Sequence, residues 1–396
     1  MAKEYNIWIV AGEASGDMYG ARLARGLQKM AASRGAALRL AGMGGPEMQK
    51  TGMDILVDST ELGVVGLVEV FKHIFMFIRL FFGLVNKAAE ERPDAVILID
   101  YPGFNQRFAY MMYKKGIPVI WYVSPQVWAW GKGRIPKLAK YCAKMLVIFP
   151  FETETYAGTG LDTVFVGHPL VDIIHERFDA TLQRDPNTFL LLPGSRIHEL
   201  EMLLNSMLDT VCELHRRHPE LKFVLSAPRE RIYRKAETMV TTYRRHHAEL
   251  PEITMTCGDT PQWQQRAGTG LATSGTVTVE CAIAGLPLVV IYRLKWITLL
   301  VAGALVKLFR GYFTMVNIIA YKTVYEEFLQ WRVCPKILVP AIEKILPGGS
   351  RREEVVKEIA EVKNALCCGS DGASVNAARQ CMDFIDKNKT EPEFTL

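Results

Sequence analysis

Apolar runs of four to seven residues recur along the chain and alternate with stretches of helical period. In the first half they fall at 6–10, 94–100, 117–123, 145–149 and 163–166, and in the second at 189–192, 222–226, 253–256, 270–273 and 288–292. Strands that are apolar throughout, each followed by a helix, predict parallel sheets covered on both faces. A polar break near 179–187 divides the two series. The pattern predicts an α/β chain of two doubly wound, Rossmann-like domains facing each other across a cleft, at 1–180 and 181–365. The tail, 366–396, reads as helical and returns to the first domain. In such sheets ligands bind beyond the carboxyl ends of the strands.

One helical stretch does not fit an ordinary surface helix. Between Glu69 and Lys87 the polar residues Glu69, Lys72, His73, Arg79, Asn86 and Lys87 share one arc of roughly 140° at 100° per residue. Phe71, Ile74, Phe75, Phe77, Ile78, Leu80, Phe81, Phe82 and Leu84 fill the rest, more than the stripe of about 100° that one core contact needs. A lipid-facing surface is expected there, with Phe71, Phe75, Ile78, Phe81 and Phe82 as contacts. Burial between domains or in a homodimer is the alternative. The apolar run 296–309, flanked by Lys295, Lys307 and Arg310, offers a second lipid contact. It is too short for the roughly 20 residues that cross a bilayer.

Composition narrows the classes. The chain has 396 residues, enough for two full cores, and a net charge of +5 without basic runs interleaved with aromatics, which argues against a nucleic-acid partner. Eight cysteines form no C-x-x-C pair, so free thiols in a reducing compartment are expected. The amino terminus enters a strand without the charged leader and apolar core of a signal peptide, and a cytoplasmic location is expected.

The candidate chemistry sits where strands end. After the first strand, Ala11-Gly12-Glu13-Ala14-Ser15-Gly16-Asp17 forms a glycine-bearing turn that opens a helix and suits an anionic or sugar ligand, or simply a capped turn. Neither the G-x-G-x-x-G fingerprint nor the phosphate loop is present, which disfavours a dehydrogenase. Asp100 ends a strand before Tyr101-Pro102-Gly103-Phe104-Asn105. A carboxylate there can take a proton from a hydroxyl nucleophile, with Asn105 placed to orient it, or simply cap the helix near 105–115. Ser124 and Trp128 lie in a Trp-rich turn that suits a sugar face or an acyl chain, or packs a core. Gly194-Ser195-Arg196 and Ser274-Gly275-Thr276 each follow a strand and open a helix, where backbone N–H groups and the helix dipole favour a diphosphate; a plain helix cap at Ser274 and a surface arginine at Arg196 are the alternatives. Glu280 falls about one turn further on, within reach of ribose hydroxyls.

With these residues in place, the chain resembles the lipid-A-disaccharide synthase family, inverting glycosyltransferases of the GT-B fold. The resemblance rests on 11–17, 42–48, 61–70, 100–105, 123–130, 149–152, Gly167-His168-Pro169, 193–196 and 274–280, in that order and spacing. It implies transfer of a diacylglucosamine unit from UDP-2,3-diacylglucosamine to 2,3-diacylglucosamine 1-phosphate (lipid X), by a peripheral protein at the anionic cytosolic face of the inner membrane. It makes Asp100 the general base. Ser15, Gly16, Asp17, Asn105, Ser124 and Trp128 then fall on the acceptor side, and Gly194, Ser195, Arg196, Ser274, Gly275, Thr276, Glu280 and Asn317 at UDP. No cofactor or metal is implied, and no D-x-D motif is found. The chain departs from the family at Gly103, Gln126 and Tyr321-Lys322. A lysine in place of arginine weakens bidentate phosphate binding. A UDP-sugar 2-epimerase or hydrolase, or a non-catalytic UDP-sugar-binding scaffold, are the rival readings.

Overall fold

The computed structural model describes residues 3–59, 67–129, 131–293 and 311–390, with the side chains of 67–75 left out of the description. The expected lipid contacts Phe71 and Phe75 and the apolar run 296–309 therefore lie outside the described side chains. The chain divides into two compact units, Met1–Asp172 with Leu366–Leu396, and Ile173–Ala365.

The first unit holds a seven-stranded sheet: β1 (Glu4–Ala11), β2 (Ala37–Gly44), β3 (Asp54–Asp58), β4 (Ala95–Ile99), β5 (Val119–Tyr122), β6 (Lys144–Val147) and β7 (Asp162–Phe165). The spatial order is β3-β2-β1-β4-β5-β6-β7, all parallel. Strand β4, AVILI, is buried at every position, as a central strand covered on both faces must be. The strands β2 and β3 were not expected. The first reads ALRLAGMG, and Ala and Gly are poor strand formers whose placement here comes from pairing with β1.

The carboxyl-terminal helix Ala373–Thr390 belongs to this unit and packs on the helix Ala14–Ser33. Gly26 allows that approach, since a Cβ there would sit 3.0 Å from the Ala378 Cβ. Arg34 bonds Asp383 and Asp386 at 2.6 Å each, and Tyr5 donates to Asp386 at 2.7 Å.

The second unit repeats the plan with β8 (Asp185–Leu192), β9 (Lys222–Ala227), β10 (Ile253–Cys257), β11 (Ala267–Thr273), β12 (Leu288–Tyr292) and β13 (Glu326–Leu329). Their order is β10-β9-β8-β11-β12-β13, again parallel. In each sheet the order reverses once, between β1 and β4 and between β8 and β11. That reversal leaves a crevice at the carboxyl ends of the two strands.

Candidate active site

Each reversal point carries a set of candidate residues. In the first unit the turn after β1 and the turn after β4 meet so closely that a Cβ on Gly12 would lie 2.1 Å from the Tyr101 ring. Asp100 and Tyr101 both take left-handed backbone angles, φ 46° and 49°, and Val123 at the end of neighbouring β5 does so at 64°. For a valine this is a genuine outlier. Such strain persists only where the surroundings impose it. The Asp100 N–H donates to Tyr122 O at 3.1 Å, the Asn105 amide donates to Ile99 O and Asp100 O at 3.2 and 2.7 Å, and the Trp121 indole donates to Val123 O at 3.1 Å.

The Asp100 carboxyl is partly buried, and its desolvation first, then the neighbouring Glu13 charge, raise its pKa from 3.8 to about 6. Both causes disfavour the charged form. A second acid, Glu152, is buried behind it. Its carboxyl accepts from Ile148 N, Phe149 N and the Trp128 indole at 3.3, 3.1 and 3.3 Å. Burial raises its pKa to about 8, and the Asp100 charge adds to the shift.

Several residues expected to face an acceptor do other work. Asp17 is 4% exposed, and its carboxylate accepts from Gly45 N, Glu47 N and Met48 N at 2.8, 2.9 and 3.0 Å, capping the short helix Pro46–Gln49. Asn105 is fully buried and holds the backbone of the strand end rather than orienting the Asp100 carboxylate. Ser124 is spent on Tyr156 at 2.8 Å. Gly16 is buried against Ala11. Ser15 is exposed, and Trp128 is half-buried, edge-on to Phe151 at 5.0 Å.

The apolar helix Leu67–Glu91 is likewise divided. Phe81 stacks edge-on against Phe104 and Phe108, at 5.2 and 6.0 Å, and belongs to the core rather than to a lipid face. Ile78 and Phe82 are exposed, at 47% and 49%. The register of the helix against Phe104 decides which side faces inward, and periodicity alone does not reveal it.

In the second unit a pocket of about 470 Å³ opens between the ends of β8, β9 and β11. Gly194, Ser195, Arg196, Ser274, Gly275, Thr276 and Glu280 all line it, together with Arg177, Glu199, Ser226 and Thr260. Gly194 has φ 105°, and a Cβ there would lie 2.8 Å from Glu199 Oε2. The Arg196 guanidinium is 70% exposed and tethered to the buried Glu199 at 3.0 Å. The Ser274 N–H is taken by Ile291 O at 3.1 Å, so of the three residues Gly275 and Thr276 remain as donors at the start of the helix Thr276–Ile283. Burial raises the Glu280 pKa, while Gln264 and Arg177 oppose the shift.

Asn317 does not join this group. It is fully buried, its Oδ1 accepts from Val324 N and Tyr325 N at 2.9 Å each, and its Nδ2 donates to Tyr325 O at 2.8 Å. It ties the helix Met315–Ala320 to the residues that lead into β13 and exposes no surface of its own. Lys322 pairs with Glu358 and Glu361 at 3.1 and 3.2 Å. Sequence reasoning gave no role to Arg177, Glu152 or Gln264. Glu152 closes one of the quoted motifs, whereas Gln264, in a polar stretch, gives no signal at all.

Two parallel Rossmann-like units, each with its candidate residues at the reversal point of the sheet, are the plan of the GT-B fold. Solved structures agree on the fold. A UDP-GlcNAc 2-epimerase from Neisseria meningitidis bound to UDP-GlcNAc matches with a TM-score of 0.59 at 10% identity, over 98% of this chain and 100% of that one. A UDP-glucosyltransferase from Polygonum tinctorium matches with a TM-score of 0.57 at 12% identity, over 98% and 99%. Sequence is more specific. The lipid-A-disaccharide synthetase family model matches residues 7–375. Lipid-A-disaccharide synthases of Koribacter versatilis and Trichlorobacter lovleyi are each 35% identical, over 96% of this chain and 99% and 98% of the relatives. The chain belongs to the lipid-A-disaccharide synthetase family and is a glycosyltransferase.

Proposed function

We propose that the protein transfers a 2,3-diacylglucosamine unit from its UDP carrier to the 6-hydroxyl of 2,3-diacylglucosamine 1-phosphate, with inversion, giving the β-1′,6-linked disaccharide 1-phosphate and UDP. The observation that carries this reading is Asp100, an acid at the reversal point of the first sheet whose pKa is lifted to about 6. An aspartate tuned this way is a better base than an ordinary one and is still mostly ionised near neutral pH. Inversion needs one displacement, so a single base and a stabilised leaving group suffice. Gly275, Thr276 and Arg196 line the pocket of the second unit and serve the diphosphate, with Glu280 accepting from ribose hydroxyls. On the acceptor side, Ser15 and Trp128 remain as contacts.

The membrane reading rests on Ile78 and Phe82, exposed and four residues apart on one helix. No helix among the described residues is long and apolar enough to cross a membrane. An apolar face laid on an anionic cytosolic leaflet would bring the protein to its lipid substrates.

Incubation of the protein with UDP-2,3-diacylglucosamine and lipid X, followed by mass spectrometry, tests the reaction. The disaccharide 1-phosphate and UDP are expected. Release of free diacylglucosamine, formation of a 2-epimer, or no turnover would overturn the assignment.

A further inference from the structure

The helix Thr260–Arg266 carries two adjacent buried glutamines, Gln264 at 2% and Gln265 at 5% exposure. Buried amides must be hydrogen-bonded, or they cost stability. Gln264 sits behind the donor pocket rather than in its wall, and its Nε2 donates to Glu280 Oε2 at 3.2 Å. Gln265 turns the other way. Its Oε1 accepts from Asp179 N at 3.0 Å, and its Nε2 donates to Arg177 O at 3.3 Å.

A carboxylate side chain at a pocket wall has several rotamers, and most of them point its oxygens away from any one ligand. A single buried donor behind it selects among them. We propose that Gln264 is a positioning residue for the nucleotide, which by its bond to Glu280 Oε2 fixes that carboxylate so that Oε1 meets the ribose hydroxyls. The inference rests on the donor reading of this pocket. It adds a residue outside the pocket lining whose effect on the nucleotide passes through Glu280. The same bond favours the ionised form of Glu280 against its burial, and the ionised form is the better acceptor.

The test compares two ligands by isothermal titration calorimetry on the full chain: UDP, and 2′,3′-dideoxyuridine 5′-diphosphate, which lacks both ribose hydroxyls. The wild type should bind UDP more tightly, by roughly tenfold or more. Gln264→Leu should lose most of that preference. It should bind the dideoxy analogue as the wild type does, and UDP roughly tenfold more weakly. Gln264→Asn, too short to reach Glu280, should behave like the leucine variant, whereas Gln262→Leu, on the exposed side of the same helix, should keep the preference.

Equal weakening of both ligands in Gln264→Leu, or an unchanged preference for UDP, would overturn the positioning role. If a variant fails to fold, as judged by its melting curve, Gln264→Met replaces it. That variant fills a similar volume without an N–H donor and should likewise lose the preference; retention of the preference overturns the role. Failure of the underlying donor reading looks different. In that case the wild type itself would not distinguish the two ligands, and Glu280→Gln would bind UDP normally.

Discussion

Asp100→Asn removes the proposed base while keeping shape and hydrogen-bonding capacity, and the structure predicts two separate effects. The first is on turnover. Loss of general-base assistance costs at least about 10² in rate, or roughly 2.7 kcal/mol of transition-state stabilisation.

The second effect is on stability and follows from the raised pKa. In the folded protein Asp100 titrates near 6, against 3.8 for an ordinary aspartate. Between those values the folded state holds the proton more tightly than the unfolded state. Stability from this group is therefore complete below pH 3.8 and is lost as pH rises through 6. The shift corresponds to about 3 kcal/mol at most, reduced by whatever water reaches the site. Asparagine carries no such cost. The variant should match the wild type in stability near pH 4 and exceed it by roughly 1–3 kcal/mol at pH 7.5. Urea denaturation across pH 4–8, alongside disaccharide formation and UDP binding, measures all of this. Near-normal product formation would refute the base assignment. A stability difference that stays flat with pH would refute the claim that Asp100 is desolvated, whatever the effect on rate.

Three other outcomes are expected. Glu13→Gln removes the neighbouring charge that raises the Asp100 pKa, so the acid limb of the kcat/KM profile should move below 6; an unmoved limb would mean that burial alone sets it. Ile78→Ser with Phe82→Ser should weaken sedimentation with anionic vesicles without changing the melting temperature, whereas Phe81→Ser, which strips a ring from Phe104 and Phe108, should cost roughly 1–3 kcal/mol; the reverse pattern would contradict the assignment of faces. Asn317→Ala leaves the Val324 and Tyr325 N–H groups without their acceptor and should cost roughly 2–4 kcal/mol in chemical denaturation. The folded fraction of that variant should bind UDP with unchanged affinity in calorimetry, and a selective loss of UDP binding would restore Asn317 to the donor site.

Taken by itself, the sequence determined the parallel α/β plan and the turns that stand at the carboxyl ends of its strands. Short runs such as AVILI in β4, rich in β-branched residues and closed by a turn, read as strands covered on both faces, and the turn that ends such a strand lies at its ligand-binding edge. Hence Asp100, Gly194–Arg196 and Ser274–Thr276 were legible, as were most strands. The strands β2, β3 and β13 were not, because ALRLAGMG, DILVD and EEFL have no strong strand pattern and are drawn into the sheet by the neighbours they pair with.

Tertiary structure alone decided what each polar side chain in those turns does. Asp17, Asn105 and Asn317 read as ligand contacts because they sit in the right motifs. Folding buries each of them against main-chain groups that need a partner, and a buried N–H or C=O left unpaired costs more than the contact a ligand would make. The pKa of Asp100, the inward turn of Phe81 and the reach of Gln264 to Glu280 likewise depend on residues far apart in the chain. Desolvation and hydrogen-bond geometry are properties of surroundings, and a linear pattern holds no record of them.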